Sequence, residues 1–208
     1  RPPRSTLDRS SAASDVYKRQ VWFKCENLQH TGSFKFRGAV NKLLSLSDEE
    51  RSSGVVSAST GNHGAAVARA TFLLEIRCTI FVPENASSAK LKAIEAYGAQ
   101  IAKEGDDCLV AEAAGRLYAS ENEMSYVSPY NDPEIVAGQG TAGVELIKQL
   151  PDVEALFVSL GGGGLISGMA GAMKGEKNVT VVACSPENSP VMHKLSLIHI
   201  SEPTRRYA

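Results

Sequence analysis

The sequence predicts an α/β fold in which parallel strands alternate with helices. Short apolar runs rich in Val, Ile and Phe alternate with alanine-rich segments of helical periodicity, and glycine or proline stands at several junctions. Strands and helices that alternate in this way form parallel sheets joined by right-handed crossovers. With 208 residues, 43% of them hydrophobic, the chain has enough apolar content for one large or two modest domains.

Local patterns predict the order of the elements. Apolar residues at helical spacing over 36–44 predict an amphipathic helix that begins beside Lys35, and a capping box at 47–50 predicts a short second helix. The further predicted helices are 65–74, 89–97, 106–121, 133–150 and 165–173. The predicted strands are 54–58, 79–82, 100–102, 125–128, 156–160 and 179–183. We expect the strand 156–160 to be buried. Glycines inside a helix cost about 1 kcal/mol each, so we expect close helix packing at 138–141 (GQGT).

Composition excludes several classes of protein. The net charge of −1 gives no electrostatic attraction to nucleic acid or to an anionic membrane. No apolar run approaches the roughly 20 residues that span a bilayer. The four cysteines lack C-x-x-C spacing, which predicts reduced thiols and a cytoplasmic protein and no metal site.

Both ends differ from the rest of the chain. Residues 1–20 hold four Arg and four Ser with little apolar content, and the composition changes at Trp22. Residues 196–208 also break the pattern before them. We expect both ends to be a non-native leader and tail, similar to translated sequencing adapter, around an internal piece of a longer protein.

Lys35 has the most specific chemical context. It lies between Phe34 and Phe36, an apolar place for an amine. Desolvation lowers the pKa of a lysine, and the neutral amine is the form that attacks a carbonyl to make a Schiff base. The ordinary alternative is a solvated charge at the start of a helix.

The segment 59–64 (STGNHG) connects a predicted strand to a predicted helix. Ser or Thr before a helix is ordinary capping, and Gly-Asn is turn chemistry. The same hydroxyls and N–H groups at a helix N-terminus can also bind a small carboxylate. The two interpretations are compatible, because the cap geometry creates the anion site.

Four consecutive glycines, 161–164, also lie between an apolar strand and a helix. Such a loop can hold a phosphate with backbone N–H groups at the positive end of the helix dipole. Glycine repeats also occur in plain loops and in dinucleotide-binding folds. The chain has no G-x-x-x-x-G-K-[ST] run, which argues against a nucleoside triphosphate.

Together, SFK at 33–35, STGNHG at 59–64 and GGGG at 161–164 resemble the fold-type II pyridoxal-phosphate enzymes, within them the threonine/serine dehydratase and serine racemase group. The resemblance runs from about Trp22 to about Lys194. It implies two doubly wound, three-layer αβα domains of the tryptophan synthase β-like fold, incomplete at both ends, with pyridoxal 5'-phosphate between them. The implied small domain is 54–130, and the implied incomplete large domain combines 21–53 with 131–195.

The resemblance also implies residue roles. Lys35 binds the cofactor and moves a proton at the substrate α-carbon, Phe34 packs along the pyridine ring, and Asn62 contacts the ring oxygen. Thr60 aligns with a position that is Ser in serine racemases and Ala in many threonine dehydratases, and its hydroxyl is a candidate acid/base opposite Lys35. The backbone that binds phosphate is that of Gly161, Gly162, Gly163, Gly164 and Leu165. The implied substrate-binding residues are Ser59, Thr60, Gly61 and His63.

The implied reaction is β-elimination of L-threonine or L-serine to a 2-oxo acid and ammonia by a homodimeric enzyme. Serine racemase is the first alternative. The second alternative is an inactive truncated fragment or a gene-model artefact. Family features at the C-terminal side, a partner for the pyridine nitrogen and acidic ligands for a divalent cation, fall outside the sequence.

Overall fold

The computed structural model describes residues 7–9 and 20–195. Within them the strands are β1 (Leu7–Arg9), β2 (Trp22–Lys24), β3 (Val55–Ala58), β4 (Cys78–Val82), β5 (Gln100–Lys103), β6 (Ser125–Tyr126), β7 (Ala155–Ser159) and β8 (Thr180–Cys184). The helices are α1 (Lys35–Ser45), α2 (Asp48–Ser53), α3 (Asn62–Leu74), α4 (Ser88–Glu95), α5 (Cys108–Glu121), α6 (Pro133–Gln149) and α7 (Gly164–Lys174). No described helix is long and apolar enough to cross a membrane.

Four parallel strands form a doubly wound sheet in the order β5-β4-β3-β6. Val55 and Ile80 pack in one core cluster with the apolar residues of α3 and α4. Val56 and Phe81, on the other face, pack with Ala119 of α5. Strands β4 and β5 extend the sheet on one side of β3, whereas β6 lies on its other side, so the strand order reverses between β3 and β6. The carboxyl ends of strands at such a switch point are where α/β sheets bind ligands.

Helix α6 lies between α1 and α7 at close range. A Cβ on Gly138 would come within 2.6 Å of the Cα of Gly38, and one on Gly168 within 2.2 Å of the carbonyl oxygen of Val136. These contacts confirm the expected close packing at 138–141. The crossings join α1, which begins at Lys35, to α7, which begins at the glycine loop.

Strands β7 and β8 form a separate parallel pair. Leu156 and Val158 are buried, but Phe157 between them is 70% exposed. The prediction of a buried strand at 156–160 is therefore correct for one face only. Leu156 and Val158 pack against α6 and α7. None of the described residues covers the side chain of Phe157 to a similar extent.

The chain start contains one described strand, β1, whose Asp8 pairs with Phe23 of β2 in an antiparallel register. The tail 196–208 lies outside the described residues. The four-stranded sheet and its helices fall within the predicted small domain, 54–130. The domain boundaries and the non-native origin of the ends stay predictions.

The sheet ends early at β6, which has two residues instead of the predicted 125–128. The N–H of Val127 still donates to the carbonyl of Val56, but no further rung follows. Pro129 has no N–H, and the hydroxyl of Ser128 accepts the N–H of Asn131 at 3.0 Å, which turns the chain. This turn brings the chain from β6 to α6 past Lys35.

Candidate active site

Lys35 is the first residue of α1, and its side chain is half-buried. Its amine donates a hydrogen bond to the carbonyl oxygen of Pro129 at 2.5 Å and lies 5.4 Å from the ring centre of Phe34. Burial lowers the pKa of Lys35 to about 8. The amine therefore has a much larger neutral fraction near physiological pH than an exposed lysine does.

His63 lies beside this amine in a buried position at the start of α3. Burial lowers the pKa of His63 to about 4, against the hydrogen bond to Val127 and with the help of the charge on Lys35. His63 is therefore neutral at physiological pH. Its Nε2 lies 3.1 Å from the carbonyl oxygen of Val127, so this nitrogen carries the proton and donates it.

The loop that begins at Ser59 lies at the switch point of the sheet, between β3 and α3. The hydroxyl of Ser59 accepts the N–H of Gly61 at 3.1 Å, and Asn62 opens the helix with its side chain exposed. Thr60 is half-buried. A Cβ on Gly64 would lie 2.3 Å from the carbonyl oxygen of Ser59. The loop can therefore pack this closely against α3 only because residue 64 is glycine. The helix start receives no side-chain cap from Gly61, which leaves its first N–H groups available to an anion.

The glycine loop forms the wall of a cavity of about 640 Å³. Gly163 has a φ of +89°, a left-handed conformation that favours glycine, and α7 starts at Gly164 without a side-chain cap. A Cβ on Gly162 would lie 2.5 Å from the Cγ of Tyr130. Leu165, the second residue of α7, is half-buried. The uncapped helix start and the bare backbone fit a phosphate group.

The β6–α6 turn connects these groups. Pro129 accepts the hydrogen bond of Lys35, and the next residue, Tyr130, packs against Gly162 and Gly164. The amine and the glycine loop therefore contact consecutive residues. Two further buried atoms in this region, Ser33 Oγ and His63 Nδ1, have no hydrogen-bond partner among the described residues. Buried polar atoms without a partner occur where a ligand supplies the missing hydrogen bond.

Sequence reasoning missed Pro129 and Tyr130 as parts of the site. The functional atom of Pro129 is a backbone carbonyl, for which no side-chain pattern exists. Ser57, which donates to the carbonyl of Val127 at 2.8 Å, was also missed because a serine inside a strand is an ordinary residue. The available signal is that Ser57 lies in β3 and that Pro129 and Tyr130 follow β6, the neighbouring strand.

A buried lysine amine at the carboxyl end of a doubly wound sheet, with an uncapped glycine loop nearby, fits the class of proteins that bind a phosphorylated carbonyl cofactor. Residues 4–204 match the family of pyridoxal-phosphate-dependent enzymes. The chain therefore belongs to this family, and the predicted cofactor and fold are confirmed. Among the described residues, no group of three or more His, Cys, Asp or Glu could hold a metal ion.

Individual relatives come from both branches of the predicted group. The chain is 44% identical to the L-threonine ammonia-lyase of Thermotoga maritima, over 91% of this chain and 47% of that protein. It is 39% identical to the serine racemase of Dictyostelium discoideum, over 85% of this chain and 55% of that protein. Its fold matches threonine deaminase isoform 2 from Solanum lycopersicum with a TM-score of 0.88 at 33% identity, over 92% of this chain and 53% of that one. The chain spans about half the length of these relatives.

The glycine loop provides a direct test of the phosphate site. Gly162→Val places a branched side chain against the ring of Tyr130 and into the cradle, so we expect cofactor affinity to fall by about 2 kcal/mol or more if a phosphate hydrogen bond is lost. Titration of the cofactor-free protein by absorbance measures this change. Gly171→Ala, whose Cβ meets nothing within 4 Å, is the matched control in α7. Equal cofactor affinity of the valine variant and the control would show that the loop has another role.

Proposed function

We propose that the full-length protein containing this chain is an L-threonine/L-serine ammonia-lyase. The observation that carries the proposal is the desolvated amine of Lys35, which the carbonyl of Pro129 holds at the switch point of the sheet. The 59–64 loop, which leads into α3, lies at the same switch point. The 44% identity to an L-threonine ammonia-lyase supports it.

When bound, pyridoxal phosphate supplies an electron sink for the charge that develops at the substrate α-carbon. Lys35 would hold the cofactor and move the proton at that carbon, and its lowered pKa suits both tasks. Gly161, Gly162, Gly163, Gly164 and Leu165 would hold the phosphate through backbone N–H groups, with Phe34 and Asn62 at the ring. Ser59, Thr60 and Gly61 would hold the substrate carboxylate at the N-terminus of α3. His63 would line this loop from the buried side, because its one N–H donates to the carbonyl of Val127.

The test is product analysis of the full-length protein. We expect L-threonine to give equal amounts of ammonia and 2-oxobutanoate, and L-serine to give ammonia and pyruvate. Glutamate dehydrogenase coupling measures the ammonia, and chromatography identifies the 2-oxo acid. Absence of both products from the cofactor-loaded protein would contradict the proposal.

Serine racemisation is the second candidate, and the hydroxyl that the half-buried Thr60 brings to the switch point favours it. Return of a proton to the second face of the α-carbon needs an acid opposite Lys35. Thr60→Ala is therefore expected to spare ammonia release and to abolish any conversion of L-serine into D-serine, measured by chiral chromatography. Thr60→Ser keeps a hydroxyl and should keep both activities. Equal loss of both activities in Thr60→Ala, with cofactor still bound, would make Thr60 a general substrate-positioning residue.

We also propose that the protein is a cytoplasmic homodimer. The four described cysteines are free thiols, as in a reducing compartment. Dimerisation rests on the resemblance to the family, and sedimentation of the full-length protein tests it.

A further inference from the structure

The carbonyl of Val127 receives two buried side-chain donors, an arrangement that the proposed chemistry does not use. The hydroxyl of Ser57 donates to it from β3 at 2.8 Å, and Nε2 of His63 donates from α3 at 3.1 Å. Ser57 is fully buried and His63 is 3% exposed. Neither donor is solvated, so each would lose a hydrogen bond outright if the carbonyl moved.

These donors act where the sheet no longer fixes the backbone. The ladder between β3 and β6 ends with the bond from the N–H of Val127 to the carbonyl of Val56. Two residues further on, Pro129 presents the carbonyl that accepts the amine of Lys35. Because Pro129 has no N–H, this residue cannot donate a further rung of the ladder, and its carbonyl accepts the amine of Lys35 instead. The position of its carbonyl depends on Val127 before it and on the Ser128–Asn131 turn after it.

We propose that Ser57 and His63 are positioning residues for Lys35: their shared hydrogen bonds to the carbonyl of Val127 fix the segment whose Pro129 carbonyl holds the amine. The inference rests on the proposed role of Lys35, but its test needs no turnover. The labelling measurement can therefore be interpreted even if the protein does not catalyse the proposed reaction.

The readout is the pH at which Lys35 becomes reactive in the cofactor-free, full-length protein, measured by competitive amine labelling and mass spectrometry. An ammonium in a desolvated place is stabilised by a carbonyl acceptor. Loss of that acceptor lowers the midpoint of the labelling curve, whereas general loosening admits water and raises it toward the ordinary 10.5. The sign of the change separates positioning from mere structural damage.

The groups that face Lys35 do not themselves change charge in the pH range where Lys35 titrates. From α3 the titratable neighbour is His63, which is neutral above about pH 4 and adds no charge in the range where Lys35 titrates. From the β6–α6 turn the neighbour is the Pro129 carbonyl, which does not ionise, followed by Tyr130. On α1 itself Arg37 is paired with carboxylates.

His63→Leu removes the donor, and Ser57→Ala removes the hydroxyl. We expect each change to lower the labelling midpoint by about half a pH unit and the double variant to lower it by about one. His63→Gln places an amide N–H near the lost Nε2–H and should restore the midpoint of the parent. Thr71→Val is the control, because it removes another buried α3 hydroxyl, one bonded to the carbonyls of Val67 and Ala68. It should leave the midpoint unchanged.

Two results would overturn the proposal. One is an unchanged or raised midpoint in His63→Leu and Ser57→Ala. The other is a glutamine variant of His63 that behaves as the leucine variant does. Circular dichroism and the urea unfolding midpoint identify any variant that has lost its fold, in which case the His63→Gln and Ser57→Ala proteins decide the question.

Discussion

Lys35→Ala is expected to abolish covalent attachment of the cofactor and to reduce ammonia release by about 10³-fold or more, because it removes both the nucleophile and the proton-transfer group. Borohydride reduction of the parent followed by peptide mapping should find the cofactor on Lys35. The variant should show no such adduct and no absorbance of the bound form.

Lys42→Ala is the matched control on the same helix. Lys42 forms an ion pair with Asp132 at 2.9 Å, and a partly exposed pair of this kind contributes at most about 1 kcal/mol. This variant should keep the cofactor and the activity. Recovery of the reduced cofactor on Lys42 or Lys90 instead of Lys35 would refute the assignment.

Arg37→Met is expected to lower the free energy of unfolding by about 3 kcal/mol, because it removes a buried cation that bonds two partly exposed carboxylates, Glu26 and Glu145. The guanidinium group of Arg37 lies between Glu26 and Glu145, with bonds of 2.8–2.9 Å to both and one of 3.0 Å to Thr141. Its side chain is only 2% exposed. Urea unfolding at neutral pH measures the loss.

The same network predicts a pH dependence. Burial raises the pKa of Glu145, but hydrogen bonds from Arg37 and Lys24 outweigh this effect and hold the pKa below its ordinary value. The stabilisation is therefore complete above about pH 4.5 and is lost as the pH falls through the folded-state pKa. In Arg37→Met only Lys24 remains to offset the effect of burial on the pKa of Glu145, so the acid-side loss should shrink.

Arg116→Met is the surface control for this experiment. Arg116 pairs with Glu112 at 2.8 Å and stacks 4.2 Å from the ring centre of Tyr126, but its side chain is 48% exposed. We expect a loss of about 1 kcal/mol or less. Equal losses in the two variants would contradict the argument that burial makes the Arg37 network costly to break.

Local patterns were sufficient to predict most elements and three motifs of the site. Helical spacing located α1, and the capping box formed as predicted, with Ser47 and Glu50 bonded to each other's backbone. The motifs at 33–35, 59–64 and 161–164 are recognisable because each combines the start of a helix with reactive or anion-binding groups. Their individual roles in catalysis stay predictions.

The rest depends on contacts between distant parts of the chain. The carbonyl that binds Lys35 belongs to a residue 94 positions away and has no side-chain signature. Arg37 lies on a helix whose charged residues would ordinarily face water, yet it is buried because carboxylates from two other segments surround it. Phe157 illustrates the converse, since an apolar run has the same pattern whether one face or both are covered.

The position of β6 in the sheet also has a consequence for folding. Ser57 and Val127 are bonded across 70 positions of sequence, whereas β3 and β4 are joined by a single helix. Contacts of such separation carry a larger loop-closure cost and form slowly. The strand that closes the sheet is also the one that leads to the acceptor for Lys35. We therefore expect the amine to gain its reactivity in the last stage of folding, so that a partly synthesised or partly folded chain does not capture the cofactor.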